Sequence, residues 1–347
     1  MRIEALIAPT TWAAMKEAAA TCEGTGFDAL AVPEIKGDSL IHAATIASAT
    51  QRAQIRTAIT IAFARSPMVV ANAAWDIHTN SGGRFALGLG TQVKAHNERR
   101  FSVPWSAPAA RLREYVESLR AIFRCYEHGE PLAYRGEHYR FSLMTPEFAP
   151  KPSGLPPIPI YTAAVRPAMV RMSARVADGV RLHGFCTRRY QEEVIAKEIE
   201  QGLAEAGRAR ETFEVCGGGF IITAKDEAEL AAQREAIRYR VAFYGSTPSY
   251  RPVLSLHGWD DLGDKLHKLS ITGKWKEMAA AVSDEVLAAF LTEGTHAQLA
   301  SRIADRFGGL TDSVELGTSS NPLQLPADLL ADLRAIPAEF TGQPRAT

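Results

Sequence analysis

Short apolar runs alternate with longer amphipathic stretches along almost the whole chain, and few folds produce that pattern. In a parallel sheet wrapped by helices each strand is buried on both faces, while each helix keeps one face in water. The strand signals are Ile3 to Ala8, Ala29 to Val32, Ile55 to Ile61, Phe85 to Leu89, Ile158 to Thr162, Gly179 to Leu182, Phe213 to Thr223 and Ser313 to Leu316. The helical patterns are Thr11 to Thr25, Leu40 to Thr50, Pro67 to Ser81, Ala109 to Tyr126, Pro167 to Val176, Tyr190 to Ala206, Asp226 to Tyr244 and Thr295 to Phe307. Eight of each predicts an α/β fold, a (β/α)8 TIM barrel, spanning residues 1–340 as one domain.

Local signals agree. Pro67 and Pro167 stand where a helix's first N–H needs no partner. Leu112, Tyr115, Val116, Leu119, Ile122 and Phe123 form one apolar face, with Arg111, Arg113, Glu114 and Glu117 on the wet side. Two stretches interrupt the alternation and read as insertions over the active-site face, after strands four and seven. Residues 129–157 contain a β-hairpin signal, Leu132 to Tyr134 and Tyr139 to Phe141, and residues 247–293 hold a helical run, Glu285 to Leu291, but no strand signal. The end of the chain, 341–347, reads as a frayed tail.

Lys+Arg and Asp+Glu both total 39, so the formal net charge is zero and no basic track for nucleic acid exists. No apolar stretch of about 18 residues occurs, and a cytoplasmic protein without membrane contact is expected. Cys22, Cys125, Cys186 and Cys216 lie far apart, which predicts reduced, buried thiols. No His-x-His or His/Asp cluster falls at a strand end, so no metal is expected.

In a barrel of this kind the chemistry sits at the C-terminal strand ends and the loops beyond them. The most informative stretch is Gly82 to Phe101. Gly88 and Gly90 let the backbone approach a ligand or simply make a tight turn. Thr91 and Gln92 can hydrogen-bond there, and Lys94, Arg99 and Arg100 can meet anionic groups or lie on a solvated face. Ala163 to Pro167 opens a helix whose first N–H groups can bind phosphate, with Arg166 adding charge.

Four pieces occur in order: Gly26-Phe27-Asp28; Arg65-Ser66-Pro67; Ser81-Gly82-Gly83-Arg84-Phe85 with Leu87-Gly88-Leu89-Gly90; and Ala177-Asp178-Gly179. Over nearly the whole chain this order resembles the luciferase-like monooxygenase superfamily, and within it the F420-dependent oxidoreductases. The run from Gly88 to Phe101 resembles one F420-dependent subgroup throughout. The resemblance implies a deazaflavin ring in the barrel mouth, its phosphate near Ala164, Val165 and Arg166, and a strand-three bulge behind the ring near Ala58, Ile59 and Thr60. In some relatives that bulge carries a non-prolyl cis peptide. Many F420 enzymes place an Asp-His or similar pair after strand two, whereas this chain has Pro33-Glu34-Ile35. Glu34 is then the best substitute for handling the proton, or else forms a salt bridge to Lys36 or an arginine, with His96 and His183 as further candidates.

These readings imply hydride transfer between coenzyme F420 and an uncharged small organic substrate. Two alternatives stand beside it: an FMN-dependent monooxygenase in which reduced flavin activates oxygen, and a non-catalytic barrel that binds a cofactor or small molecule. Alanines in the second and third helices suit close helix approach and hence a homodimer, and sedimentation at low concentration would expose a monomer.

Overall fold

The strands of the computed structural model, which describes residues 1–8, 11–317 and 325–342, bear out the barrel. They are β1 (Arg2–Leu6), β2 (Ala29–Val32), β3 (Gln54–Thr57), β4 (Thr60–Ile61), β5 (Phe85–Gly90), β6 (Tyr134–Arg135), β7 (Arg140–Phe141), β8 (Ile160–Ala164), β9 (Gly179–Leu182), β10 (Glu214–Gly217), β11 (Phe220–Ala224), β12 (Leu291–Thr295) and β13 (Ser313–Leu316). Parallel pairing runs β3-β2-β1-β13-β10-β9-β8-β5, and Ile55 against Phe85 brings β5 back to β3 to close the ring. Around it lie α1 (Trp12–Thr25), α2 (Ser39–Ala47), α3 (Pro67–Asn80), α4 (Lys94–Arg99), α5 (Pro108–His128), α6 (Pro167–Val176), α7 (Arg188–Tyr190), α8 (Ala196–Glu205), α9 (Glu227–Gly245), α10 (Arg251–Ser255), α11 (Asp260–Ile271), α12 (Trp275–Ala280), α13 (Asp284–Phe290), α14 (Leu299–Phe307) and α15 (Ala327–Ala335).

Several residues of the four ordered pieces are scaffold. Asp28 accepts the Ile3 N–H, Asp178 the Ile160 N–H and Asp312 the Val215 N–H, so an aspartate just before one strand pins the start of its neighbour. Arg84 donates to the carbonyls of Ala47, Thr50, Ala53 and Ser81, tying α2 to the start of β5. Ser66 caps α3 through the Met68 N–H, with Pro67 in the first turn.

Several elements depart from the sequence expectation. The run Phe213 to Thr223 is two strands, because Gly217 (φ 74°) and Gly218 (φ 110°) turn the chain away from the ring. β11 then pairs with β12, Phe220 against Leu291 through Ala224 against Thr295, so the second insertion ends in a strand. α9, expected as a barrel helix, packs instead on β11, β12 and α11 to α13. The helix after the last strand is α15, which the apolar pattern leaves unread; it buries Leu329, Leu330 and Leu333. Lys94 to Arg99, for which no helix is read from the sequence, is α4. The first insertion climbs along α5: Glu114 accepts the N–H groups of Glu137, His138 and Tyr139, and Tyr134 donates to Glu117. Of the expected tail, residues 343–347 lie outside the described residues.

Aliphatic side chains fill the space between strands and helices. The inside of the ring holds a charged layer instead. Arg2, Arg56 and Arg181 face Glu4, Glu214 and Glu315, and Tyr161 donates to Glu214 at 2.5 Å. Burial would raise the Glu214 pKa, but Arg56 and Arg2 overcome it and hold the carboxyl at about 2. All four cysteines are buried and free, and no described helix is long and apolar enough to cross a membrane.

Candidate active site

Strand pairing is interrupted between β3 and β4 at Ala58–Ile59, whose peptide bond is cis. Ala58 and Ile59 stay partly exposed at this end of the barrel, as does Ala163 on β8. Gly90 on β5 lies between those strands, and a Cβ there would come 2.5 Å from Ile59 Cδ1. The result is a small apolar floor without side-chain relief at its centre. Thr60 does not face it: its side chain is fully buried, hydrogen-bonded to Ser39 at 2.9 Å.

Glu34 is an anchor within this floor's rim. Its carboxylate accepts from the Ile61 N–H at 2.9 Å, from Ser39 at 3.0 Å and from Arg65 at 2.8 and 3.2 Å. Ser39 stands on α2, Ile61 on β4 and Arg65 in the turn that follows, so Glu34 holds the loop after β2 against the turn after β4. Asp38 shares Arg65 at 2.6 Å.

His183 follows β9 and sits among rings, 4.2 Å from Tyr244, 4.9 Å from Tyr250 and 6.5 Å from Phe220. Its Nδ1 accepts the Phe185 N–H at 2.9 Å, which assigns the proton of the neutral ring to Nε2. Burial, with Arg240 adding to it, pushes its pKa down to about 3. The ring is therefore a neutral donor through Nε2 at physiological pH, not a titrating acid.

His96, Lys94, Arg99 and Arg100 are exposed on or just after α4, with Lys94 3.9 Å from Glu98 and Arg100 reaching the Ile35 carbonyl at 3.4 Å. Thr91 donates to the Gln92 carbonyl, Gln92 has a positive φ of 59°, and its Oε1 accepts the Val93 N–H. α6 starts with no side-chain cap beside exposed Arg166, while Ala164 is buried and the Val165 carbonyl is held by Tyr190. The structure thus brings Ala58, Ile59 and Gly90 together and places the α6 start at the same barrel end, with His96 on α4 and His183 in the loop after β9.

Two residues went unread in the sequence. Glu315 on β13 points into the ring with its side chain 27% exposed, 3.4 Å from Arg181. Burial raises its pKa against the pull of Arg181, and Glu4 adds to the rise. Arg240 on α9 stacks over Phe220, 5.0 Å from the ring centroid. Phe220, Tyr244 and Tyr250 form aromatic walls around His183, while Trp105 packs on Phe63, Trp259 on His257 and Trp275 beside Phe243.

Comparison with known proteins agrees with this architecture. Residues 3–313 match the luciferase-like monooxygenase family. The chain is 43% identical to an uncharacterized protein of Mycobacterium tuberculosis (strain H37Rv), over 88% of this chain and 90% of that one. It is 28% identical to a 5,10-methylenetetrahydromethanopterin reductase of Archaeoglobus fulgidus, over 86% and 88% of the two chains. A third relative, at 29% identity over 78% and 81%, is a putative coenzyme F420-dependent oxidoreductase of Mycobacterium tuberculosis. The structure of the F420-dependent tetrahydromethanopterin reductase from Methanopyrus kandleri shares the fold with a TM-score of 0.77 at 20% identity, covering 96% of each chain. The chain belongs to the luciferase-like monooxygenase family and is an oxidoreductase.

Proposed function

We propose that this protein transfers a hydride between coenzyme F420 and a small organic substrate, acting as a homodimer in the cytoplasm. The observation that carries the reading is the apolar floor of Ala58, Ile59 and Ala163 around Gly90, next to the uncapped start of α6. A planar ring needs such a floor, and an anionic tail needs such a helix start. Relatives at 28% and 29% identity are F420-linked by name or by the reductase activity they share with an F420-dependent structure, which favours F420 over FMN. When bound, F420 supplies the hydride chemistry at its C5. The chain's own residues do the rest. Ala164, Val165 and Arg166 hold the phosphate, Lys94, Arg99 and Arg100 meet the acidic tail, and Thr91 and Gln92 shape the exit from β5. Glu34, fixed by Arg65, keeps the floor in register. For the dimer, Ile41 on α2 is 51% exposed and Val69 on α3 is 57% exposed, on the two alanine-rich helices.

Titration of the purified protein with F420 and with FMN tests the reading. Micromolar F420 binding with far weaker FMN binding is expected, and micromolar FMN binding without F420 binding overturns it.

The matching proton is assigned to a Glu315 carboxyl oxygen. The charged groups facing it are Glu4 on β1, Arg181 on β9 and Arg240 on α9. Because the pKa is raised, a substrate reduction should lose rate as pH rises through that value, and an oxidation should lose rate as pH falls through it. Glu315→Gln should remove that limb of the kcat profile while leaving F420 affinity within about twofold; an unchanged profile assigns the proton elsewhere.

A further inference from the structure

α9 carries three neighbouring arginines whose fates differ. Arg234 is paired with Glu293 at 2.8 Å and Arg238 with Asp284 at 2.6 Å. Arg240, half-buried, forms no ion pair and no hydrogen bond among the described residues, and its guanidinium rests on the Phe220 ring. Its donors are not sealed from solvent, so they stay available to any acceptor that enters beside Phe220.

The surroundings define that acceptor. One turn beyond Arg240, Tyr244 lies 4.2 Å from His183 and stacks on Phe220 with centroids 6.4 Å apart; Tyr250 completes the wall, 5.6 Å from Tyr244. All three aromatic residues and His183 pack at the C-terminal end of β9 and the start of β11. Neither the Tyr244 nor the Tyr250 hydroxyl has a hydrogen-bond partner among the described residues, and His183 presents Nε2–H. Glu315, the carboxyl on which Arg240 acts among the described residues, is already engaged by Arg181. A site with a free cation, three neutral donors and aromatic walls is built for an anion carried on an apolar body.

We propose that Arg240 is the anchor for a carboxylate on the substrate, whose apolar body lies between Phe220, Tyr244 and Tyr250. This rests on the hydride-transfer reading above and replaces the uncharged substrate expected from the sequence. The competing claim on Arg240 is the acidic tail of F420, which offers the same carboxylate chemistry.

Calorimetric titration of the apo protein with benzoate and with benzyl alcohol separates these sources. Benzoate should bind wild type at least tenfold tighter than benzyl alcohol. Arg240→Met should reduce that preference to within about twofold, Arg240→Lys should keep part of it, and both variants should bind F420 within about twofold of wild type. No benzoate preference in wild type, or an undiminished one in Arg240→Met, overturns the proposal. Loss of F420 affinity in Arg240→Met with benzoate binding intact also overturns it, handing Arg240 to the cofactor. Failure of wild type to bind F420, with the benzoate preference present and dependent on Arg240, defeats the hydride reading and leaves the anion pocket standing. Circular dichroism of each variant confirms that the fold is kept.

Discussion

Arg56→Leu is expected to destabilise the barrel by about 3–5 kcal/mol, the usual result of removing one partner from a buried ion pair. Arg56 is 1% exposed and donates to both oxygens of Glu214, to Glu4, to Gln54 and to the Cys216 sulfur. A leucine would fill much of the volume, but it would leave Glu4 and Glu214 facing each other with Arg2 and Arg181 as their remaining cations. The pH dependence gives a second readout. The Glu214 pKa is depressed to about 2 from 4.5, so its contribution is present above pH 4.5 and is lost as pH falls through 2. At about 1.4 kcal/mol per unit that contribution is roughly 3 kcal/mol, and it should largely vanish in Arg56→Leu. Urea denaturation at neutral and acidic pH measures both. A loss under about 1 kcal/mol at neutral pH would mean that the charged layer is not what holds the ring.

That layer also explains the chemistry above it. A barrel filled with aliphatic side chains offers no charge to its mouth. Here Arg181 spans from Glu4, deep in the ring, to Glu315, which is partly open. Glu4 has Arg56 as a second cation and lies closer to Arg181, at 2.8 Å against 3.4 Å for Glu315, and Glu315 is the one with the raised pKa. The buried ion network and the proposed proton carrier are then one construction, with its lower part closed by Arg56 and Tyr161 and its upper part free to exchange.

The barrel was legible because its signals are local. Gly179 to Leu182 and Ser313 to Leu316 are strands with the bounds the sequence suggests, and Pro167 opens α6 as expected. What stayed hidden depends on pairing or burial. Leu291 to Thr295 contains Glu293 and Gly294, so only its partner β11 makes it a strand. Arg2 and Glu4 alternate with Ile3 and Ala5 as they would on a wet sheet face, and closure of the ring is what buries them. Glu34 was visible as a polar residue in the right loop, yet its four hydrogen bonds come from Ser39, Ile61 and Arg65, and no spacing announces them. Glu315 and Arg240 carry no motif; each stands out only once its neighbours are known. The floor residues Ala58 and Ile59 were reached through resemblance alone, since nothing in Thr57-Ala58-Ile59-Thr60 marks a break in a strand.

Gly88→Ala is expected to cost more than about 3 kcal/mol, the upper range of overpacking, and to yield little folded protein. Gly88 lies on β5 where the ring closes, and an added Cβ would overlap the Thr57 carbonyl oxygen and come 3.4 Å from Arg181 Cδ. The overlap is with backbone, so no rotamer relieves it. Thr57 also brackets this glycine with its own hydroxyl, which accepts the Gly88 N–H at 2.9 Å and donates to the Gly88 carbonyl at 2.8 Å. Relief therefore requires β3 and β5 to part, and the residues carried along are Ala58 and Ile59, the floor of the candidate cofactor site. Any folded fraction should accordingly bind F420 at least tenfold more weakly than wild type. Gly24→Ala is the control: it sits in α1 with nothing within 4 Å of the added Cβ, and it should stabilise by about 0.5–1 kcal/mol through helix propensity. If both variants melt within a degree or two of wild type and bind F420 alike, then the closure at Gly88 is slack enough to absorb a methyl group, and the floor above it is not the rigid platform that hydride transfer between two precisely held partners requires.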